Sequence, residues 1–309
     1  MFVTVSEKPM KNAQTFGGDW TEDKLKRISK YLRAYTKIFA ANEKAKHLST
    51  IYVDAFASTG GRAIDQGTGE YQQANADGSD PEARRFLDGS TRIALEVKPE
   101  FNQYLFIELD KEKCTELRES LAGSFPELLH KIQIENAEAN QYLRSWCQTT
   151  DWSKKRAVLF LDPFGMQVEW SLLEAIAKTH AIDVWLLFPI GMGVNRLLTR
   201  SEPPPKTWAD KLTKTLGNED WRNEFYPSVV DMTLFGDVET QTKKTSFAGI
   251  ADYFVRRLNT LFPGGVAENP ILLRNSRNTP LYLLCFATAN QTESVKKAAL
   301  TIAQDILKR

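Results

Sequence analysis

Four short apolar runs, each closing on an acidic or turn residue, constrain this chain more than any other feature: IYVDAF (51–56), YLFIELD (104–110), AVLFLDPFG (157–165) and DVWLLFP (183–189). None alternates strictly between apolar and polar residues. Such runs suit strands covered on both faces, the condition of a parallel sheet held between helices. A weaker run, KIQIENAEA (131–139), lies between the second and third, and helical segments are predicted at about 90–98, 111–122, 138–149 and 169–179. This alternation predicts a doubly wound α/β sheet.

An amphipathic helix precedes the first run. Asp19-Trp20-Thr21-Glu22 has capping-box spacing, and Leu25, Ile28, Leu32, Tyr35 and Phe39 recur at helical intervals to about Ala41. Lys26, Lys30, Arg33 and Lys37 form a stripe on its outer face, open to two readings: a solvated surface or a phosphate-contacting one. After the fifth strand, residues 194–245 carry the run Pro203 to Pro205 and helix-like stretches around 206–217 and 219–225, predicted to form a small helical cap. A helix from about Ser246 to Phe262, two strands at about 269–274 and 281–288, and a last helix at about 291–308 complete the chain. The expected organisation is therefore a Rossmann-like core with its leading helix over 1–193, an insertion over 194–245, and completion of a seven-stranded, mostly parallel sheet by an antiparallel strand pair over 246–309.

Bulk charge names no partner. Forty basic residues face 39 acidic ones, a formal charge of +1, so composition calls for neither nucleic acid nor a membrane surface. No run of 18 apolar residues and no apolar signal core occurs, and Cys114, Cys147 and Cys285 lie far apart without CxxC or Cys/His spacing. These features predict a cytoplasmic protein with buried thiols and no metal site. His47, His130 and His180 show no triad or ligand spacing.

In an open α/β sheet, ligands bind beyond the carboxyl ends of the strands. The first strand ends in Asp54 and runs into Ala55-Phe56-Ala57-Ser58-Thr59-Gly60-Gly61, whose small residues and two glycines let the backbone approach a ligand; Asp54 is placed to accept from a ligand's amino group or from a bound water. A full GxGxxG is missing, which disfavours a dinucleotide site. Glu108 and Asp110 close the second strand on one side by period two, and the ribose hydroxyls are assigned to Glu108 and the helix cap to Asp110. Asn136 and Ala137, ending the third strand, are placed by position toward an adenine edge. The sharpest signal is Asp162-Pro163-Phe164-Gly165: a carboxylate ending a buried strand is costly unless used, and Phe164 offers a stacking surface. An ordinary strand-closing turn is the alternative. Gly191 and Gly193 are expected to serve as a hinge for the insertion, which would then sit over the pocket.

The succession DAFA…GG, FIELD, a polar third-strand end and FLDPFG resembles class I S-adenosylmethionine-dependent methyltransferases, and more narrowly the three-Cys-motif partner protein (TcmP) family. The similarity runs over about residues 16–200 through YLRAYTKIF, IYVDAFA, GSTRIALE, FIELD, FLDPFGMQV and FPIGMGVNRLL. It implies a Rossmann-like methyltransferase fold, S-adenosylmethionine as cofactor, and a three-Cys-motif protein as partner. It also implies Asp54, Phe56 and Gly60 as the cofactor loop, Glu108 as ribose acceptor and Asp162 to Gly165 as the catalytic-face motif. Ser58 stands where the pattern carries glycine, and DPFG is similar to the DPPY-type motif of amino-methyltransferases without its second proline. A nucleobase in DNA or RNA is the leading substrate class, and a non-catalytic partner protein on the same scaffold is the alternative. A metal-dependent enzyme using Asp54, Glu108 and Asp162 is a third reading.

Overall fold

The structure is a computed structural model, and it describes residues 19–57, 89–233 and 236–308. Helix α1 (Asp19–Ala41) leads into strand β1 (Ser49–Asp54). There follow α2 (Gly89–Leu95), β2 (Gln103–Glu108), α3 (Lys111–Ser124), β3 (Ile132–Asn136), α4 (Ala139–Thr149), β4 (Lys155–Leu161), α5 (Trp170–Ala177) and β5 (Ile182–Phe188). After β5 a π-helical turn, Ile190–Val194, opens the insertion, which holds α6 (Lys206–Leu216), α7 (Trp221–Phe225) and an antiparallel hairpin of β6 (Ser228–Thr233) and β7 (Gly236–Gln241). The hairpin departs from the purely helical cap expected. Helix α8 (Phe247–Leu261), β8 (Ile271–Arg274), β9 (Pro280–Thr288) and α9 (Glu293–Lys308) end the described chain.

The main sheet has seven strands in the order β3-β2-β1-β4-β5-β9-β8. The first five are parallel, and β9 runs antiparallel to both β5 and β8. This is the Rossmann-like arrangement that the sequence led us to expect: seven strands, mostly parallel, with an antiparallel pair from the C-terminal part. Strand order reverses between β1 and β4, which makes their carboxyl ends the switch point where such sheets bind ligands.

Alternate strand residues enter two cores. Ile51, Val53, Leu105, Ile107, Leu159, Leu161 and Val184 pack on α4, α5, α8 and the insertion. Tyr52, Phe106, Val158, Phe160 and Trp185 pack on α1, α2, α3 and α9. Burial on both faces is why these strands read as unbroken apolar runs. The second core is rich in rings, with Tyr31 centred 5.3 Å from Trp185 and 4.9 Å from Phe286. Tyr31 also donates to Asp183 at 2.8 Å, tying α1 to the start of β5.

The buried stripe of α1 is rotated from the expected one. Lys24, Arg27, Ile28, Tyr31, Leu32 and Tyr35 are buried, whereas Leu25 and Phe39 are half-exposed. Lys26, Lys30, Arg33 and Lys37 point to solvent.

The candidate functional site at the carboxyl edge

The register of the sheet gathers the acidic strand ends. Asp54 pairs with Phe106 on β2 and Phe160 on β4, and Glu108 and Asp162 stand two residues further along those strands. By period two, all three fall on the face covered by α1 and α2.

Asp54 is fully buried. Its Oδ1 accepts from the Phe56 amide at 3.3 Å, while Oδ2 has no hydrogen-bond partner among the described residues. Burial pushes its carboxyl up to about 6; the nearby Asp162 charge adds to this, and the Ser90 hydroxyl, the Phe56 amide and Lys24 oppose it. The Tyr52 hydroxyl, two residues earlier, is also buried and lies near enough to feel Asp54 and Asp162 without hydrogen-bond geometry; burial, then those charges, raise it well above an ordinary tyrosine. The backbone beyond Asp54 bridges both neighbouring strands, with Ala55 N–H donating to Phe160 O at 3.2 Å and Ala57 N–H to Ile107 O at 3.0 Å. Gly60 and Ser58 lie outside the described residues.

Glu108 is buried at the end of β2, where its Oε1 accepts from the Asp110 amide at 2.7 Å. Asp110 caps α3, accepting from the Glu112 and Lys113 amides at 2.9 and 3.3 Å, the cap expected of it. At the end of β3, Asn136 Nδ2 donates to the Glu108 and Leu109 carbonyls at 3.0 and 2.7 Å, and the Ala137 amide donates to Glu108 O at 3.1 Å. These bonds fasten β3 to β2. Glu138 is used as the cap of α4. Leu109 is 67% exposed beside Glu108, an apolar surface that the sequence reading missed. Its signal was a leucine between two acids at a strand end, beyond the last buried position.

The DPFG turn is held from three sides. The Phe164 amide donates to Gln167 Oε1 at 2.9 Å, and Gly165 takes φ +74°, a left-handed conformation that favours glycine. Asn140, buried at the start of α4, donates to Gln167 O at 2.8 Å and accepts from the Glu169 amide at 2.9 Å. Pro163 is buried, whereas Phe164 is 51% exposed with its ring available. Asp162 is ion-paired through Oδ2 with Lys24 of α1. Sequence reasoning passed over Lys24 as a partner of this motif; its signal was a lysine at i−4 from Ile28 on the buried face.

The insertion flanks this turn. Met166 to Glu169 and residues Asp210, Lys211, Lys214 and Thr215 border a groove of about 320 Å³. Glu169 joins the two sides, bonded to Arg144 at 2.9 Å and Lys214 at 2.8 Å. Gly193 packs under Met166 and Gly191 against the Pro280 carbonyl, so an added Cβ at either would meet a close neighbour.

Among the described residues no group of three or more His, Cys, Asp or Glu is arranged to hold a metal ion, and no helix is long and apolar enough to cross a membrane. The three cysteines are buried and free, as expected.

No protein-family model and no curated protein matches the chain. Solved structures similar to it include protein LPL1258 from Legionella pneumophila (12% identity, 91% of this chain and 92% of that one, TM-score 0.41). Others are spermidine synthase from Thermotoga maritima (9%, 88% and 62%, TM-score 0.38) and a Listeria monocytogenes protein named as a candidate S-adenosylmethionine-dependent methyltransferase (9%, 84% and 98%, TM-score 0.36). Likenesses this distant bear on neither activity nor substrate; the seven-stranded Rossmann-like sheet stands on the chain's own topology.

Proposed function

We propose that this protein is an S-adenosylmethionine-dependent methyltransferase acting on a nucleobase nitrogen in DNA or RNA, together with a three-Cys-motif partner. One observation carries the enzymatic reading: Asp54, Glu108 and Asp162 end neighbouring strands around the switch point, and the buried Oδ2 of Asp54 has no hydrogen-bond partner among the described residues. A buried carboxylate oxygen without a donor is costly, and a ligand's ammonium group would satisfy it. The donor set therefore fits S-adenosylmethionine. Asp54 would hold its amino group, Glu108 its ribose hydroxyls, and Leu109 with Asn136 Oδ1 its adenine, with Ala55, Phe56 and Gly60 forming the adjoining loop.

Bound there, the cofactor supplies an electrophilic methyl group on a sulfonium. The chain's own task is then alignment more than acid–base chemistry. Asp162 would accept from the N–H of the acceptor amine, with the Pro163 carbonyl beside it, and Phe164 would stack on the base. An extruded base suits such a pocket. The partner follows from the family resemblance of the DAFA, FIELD and DPFG segments.

Calorimetry with S-adenosylmethionine on the wild type and on Glu108→Ala tests the reading. Binding by the wild type, weakened about 10- to 100-fold in the variant, is expected for loss of charged hydrogen bonds. No heat from the wild type overturns it. Tritium from labelled cofactor, followed into DNA, RNA and protein, then names the acceptor, and Asp162→Ala abolishes the transfer. Ser58 at the glycine position of the loop favours the second reading, a non-catalytic partner protein on the same scaffold, for which the wild type takes up no label-donating cofactor.

A further inference from the structure

Helix α1 has two buried cations, and they serve different ends. Arg27 bonds to Asp23 in its own helix and to the Ile306 carbonyl of α9, joining two helices. Lys24, 5% exposed, bonds across 138 residues of sequence to Asp162, the first residue of the DPFG motif. Burying a lysine opposes folding unless it is paired, and an apolar residue of similar length usually stabilises as well or better. Packing alone therefore gives no reason for lysine at this position.

The surroundings of Lys24 belong to the site. Its Nζ lies 5.3 Å from the centre of the Trp20 ring, and Trp20 stacks on Tyr282 of β9 at 5.6 Å and 25°. Burial and the Asp162 charge push Tyr282 up to about 12, against the Gly165 main chain. The start of α1 thus meets the site twice, by the Lys24 charge at Asp162 and by the Trp20 ring stacked on Tyr282. The groups facing Asp162 are Lys24 from α1, Tyr52 and Asp54 from β1, and Tyr282 from β9. Lys24 is the cation in that set. It engages Oδ2 only, and Oδ1 accepts from no described residue.

We propose that Lys24 is a positioning residue for methyl transfer: it holds Asp162 by Oδ2 between the Asp54 carboxylate and the Tyr282 ring, so that Oδ1 faces the acceptor amine. The proposal rests on the methyltransferase reading and adds to it a residue outside the strand-end motifs. With the cofactor bound, the acceptor nitrogen's lone pair would form the new N–CH₃ bond as the S–CH₃ bond breaks. The sulfonium would leave as a neutral thioether, and the surplus proton on nitrogen would pass by way of Asp162 to solvent. Lys24 takes no part in that exchange; it fixes the carboxylate that orients the nitrogen.

The test uses the full chain as wild type, Lys24→Met, Lys24→Arg and Lys24→Gln. Calorimetry follows S-adenosylmethionine, carbon NMR follows the aspartate carboxyls, and tritium transfer is measured into total RNA, DNA and protein. Lys24→Met is expected to bind the cofactor within about threefold of wild type and to transfer methyl at least about 100-fold more slowly, the scale of a lost preorganised contact. Its Asp54 titration moves up from about 6, because the cation opposing that rise is gone. Lys24→Arg recovers transfer to within about tenfold of wild type. A purely structural lysine would instead lower the melting temperature of Lys24→Met and leave the rate per folded molecule unchanged. Equal transfer by wild type and Lys24→Met overturns the role of Lys24 alone. A wild type that binds no cofactor and labels nothing overturns the methyltransferase reading and this proposal together. If Lys24→Met does not fold, Lys24→Gln takes its place: slowed transfer per folded molecule with near-wild-type cofactor affinity supports the proposal, and transfer equal to wild type overturns it.

Discussion

Asp54 and Asp162 face each other across the reversal of strand order, and the Asp162 charge helps to hold the buried Asp54 carboxyl up at about 6. A carboxyl raised in the folded state has a defined effect on stability. Its proton is held more tightly in the folded protein than in the unfolded chain, where it leaves near the ordinary 3.8. The stabilisation from that proton is complete below the unfolded value and is lost as pH rises through the folded one.

Asp54→Asn removes this dependence. The variant is expected to gain stability on the wild type from about pH 4 to about pH 7, by up to roughly 3 kcal/mol, while losing affinity for S-adenosylmethionine. Asp183 is the control. Burial raises it likewise to about 6, against the Thr288 and Tyr31 hydrogen bonds and Arg156, but it sits at the opposite end of the sheet. Asp183→Asn should show the same pH trend and normal cofactor binding. Urea unfolding across this range, with calorimetry at neutral pH, measures both; a pH-independent difference for Asp54→Asn would count against burial as the cause.

Leu109 and Phe164 are exposed apolar residues at the same edge, so their folding roles are small. Leu109→Ala and Phe164→Ala should each change stability by less than about 0.5 kcal/mol. Their effects on ligands should separate. Leu109→Ala is expected to weaken cofactor binding, whereas Phe164→Ala leaves it intact and costs the acceptor about 1–3 kcal/mol of stacking. Cofactor calorimetry set beside transfer rates distinguishes them, and equal loss of both functions in both variants would contradict the assignment.

The main sheet was legible because its strands are buried on both faces. Val158 to Leu161 and Val184 to Phe188 can be apolar at every position only in a covered sheet. Asp110 was legible as a cap because it directly precedes the helix that begins at Lys111. The hairpin of β6 and β7 was not legible. It lies outside the main sheet, and a two-stranded pair draws its stability from contacts that local propensity does not encode. Lys24 was missed for a related reason. Its helix also carries Lys26 and Lys30, and local sequence does not say which lysine faces inward. The apolar stripe was drawn through Leu25 and Phe39, about one position from its true axis, and the Lys24–Asp162 pair follows only from how α1 docks on β4.

Gly191 and Gly193 should respond differently to one added carbon. A Cβ on Gly191 would lie 1.9 Å from the Pro280 carbonyl oxygen, a main-chain atom that cannot yield locally. Gly191→Ala is therefore expected to cost about 3 kcal/mol or more. A Cβ on Gly193 meets Met166 Cγ at 2.5 Å, and that flexible side chain can turn away. Gly193→Ala should cost about 1 kcal/mol while displacing the segment just after DPFG, so methyl transfer falls more than stability. Chemical denaturation and transfer rates on the two variants check this, and a Gly193→Ala with wild-type rates would show that Met166 does not support the motif.

The outer face of α1 tests the acceptor class independently of chemistry. Lys26, Lys30, Arg33 and Lys37 are exposed at spacings of four, three and four residues, so they line one side of the helix that carries Lys24 to the site. At 1.5 Å per residue this stripe extends about 16 Å, enough to follow two or three phosphates of a single strand. If it does so, affinity for a single-stranded oligonucleotide falls steeply with salt. Replacing all four residues with glutamine should reduce the slope of log affinity against log salt by roughly 0.7 for each lost phosphate contact, a total of about 1.4 to 2.1 for two or three phosphates, with S-adenosylmethionine binding unchanged. Fluorescence anisotropy over a series of salt concentrations gives the slope directly. An unaltered slope would mean that the stripe is only a solvated surface and that a nucleic-acid acceptor, if there is one, reaches the Phe164 edge by another path.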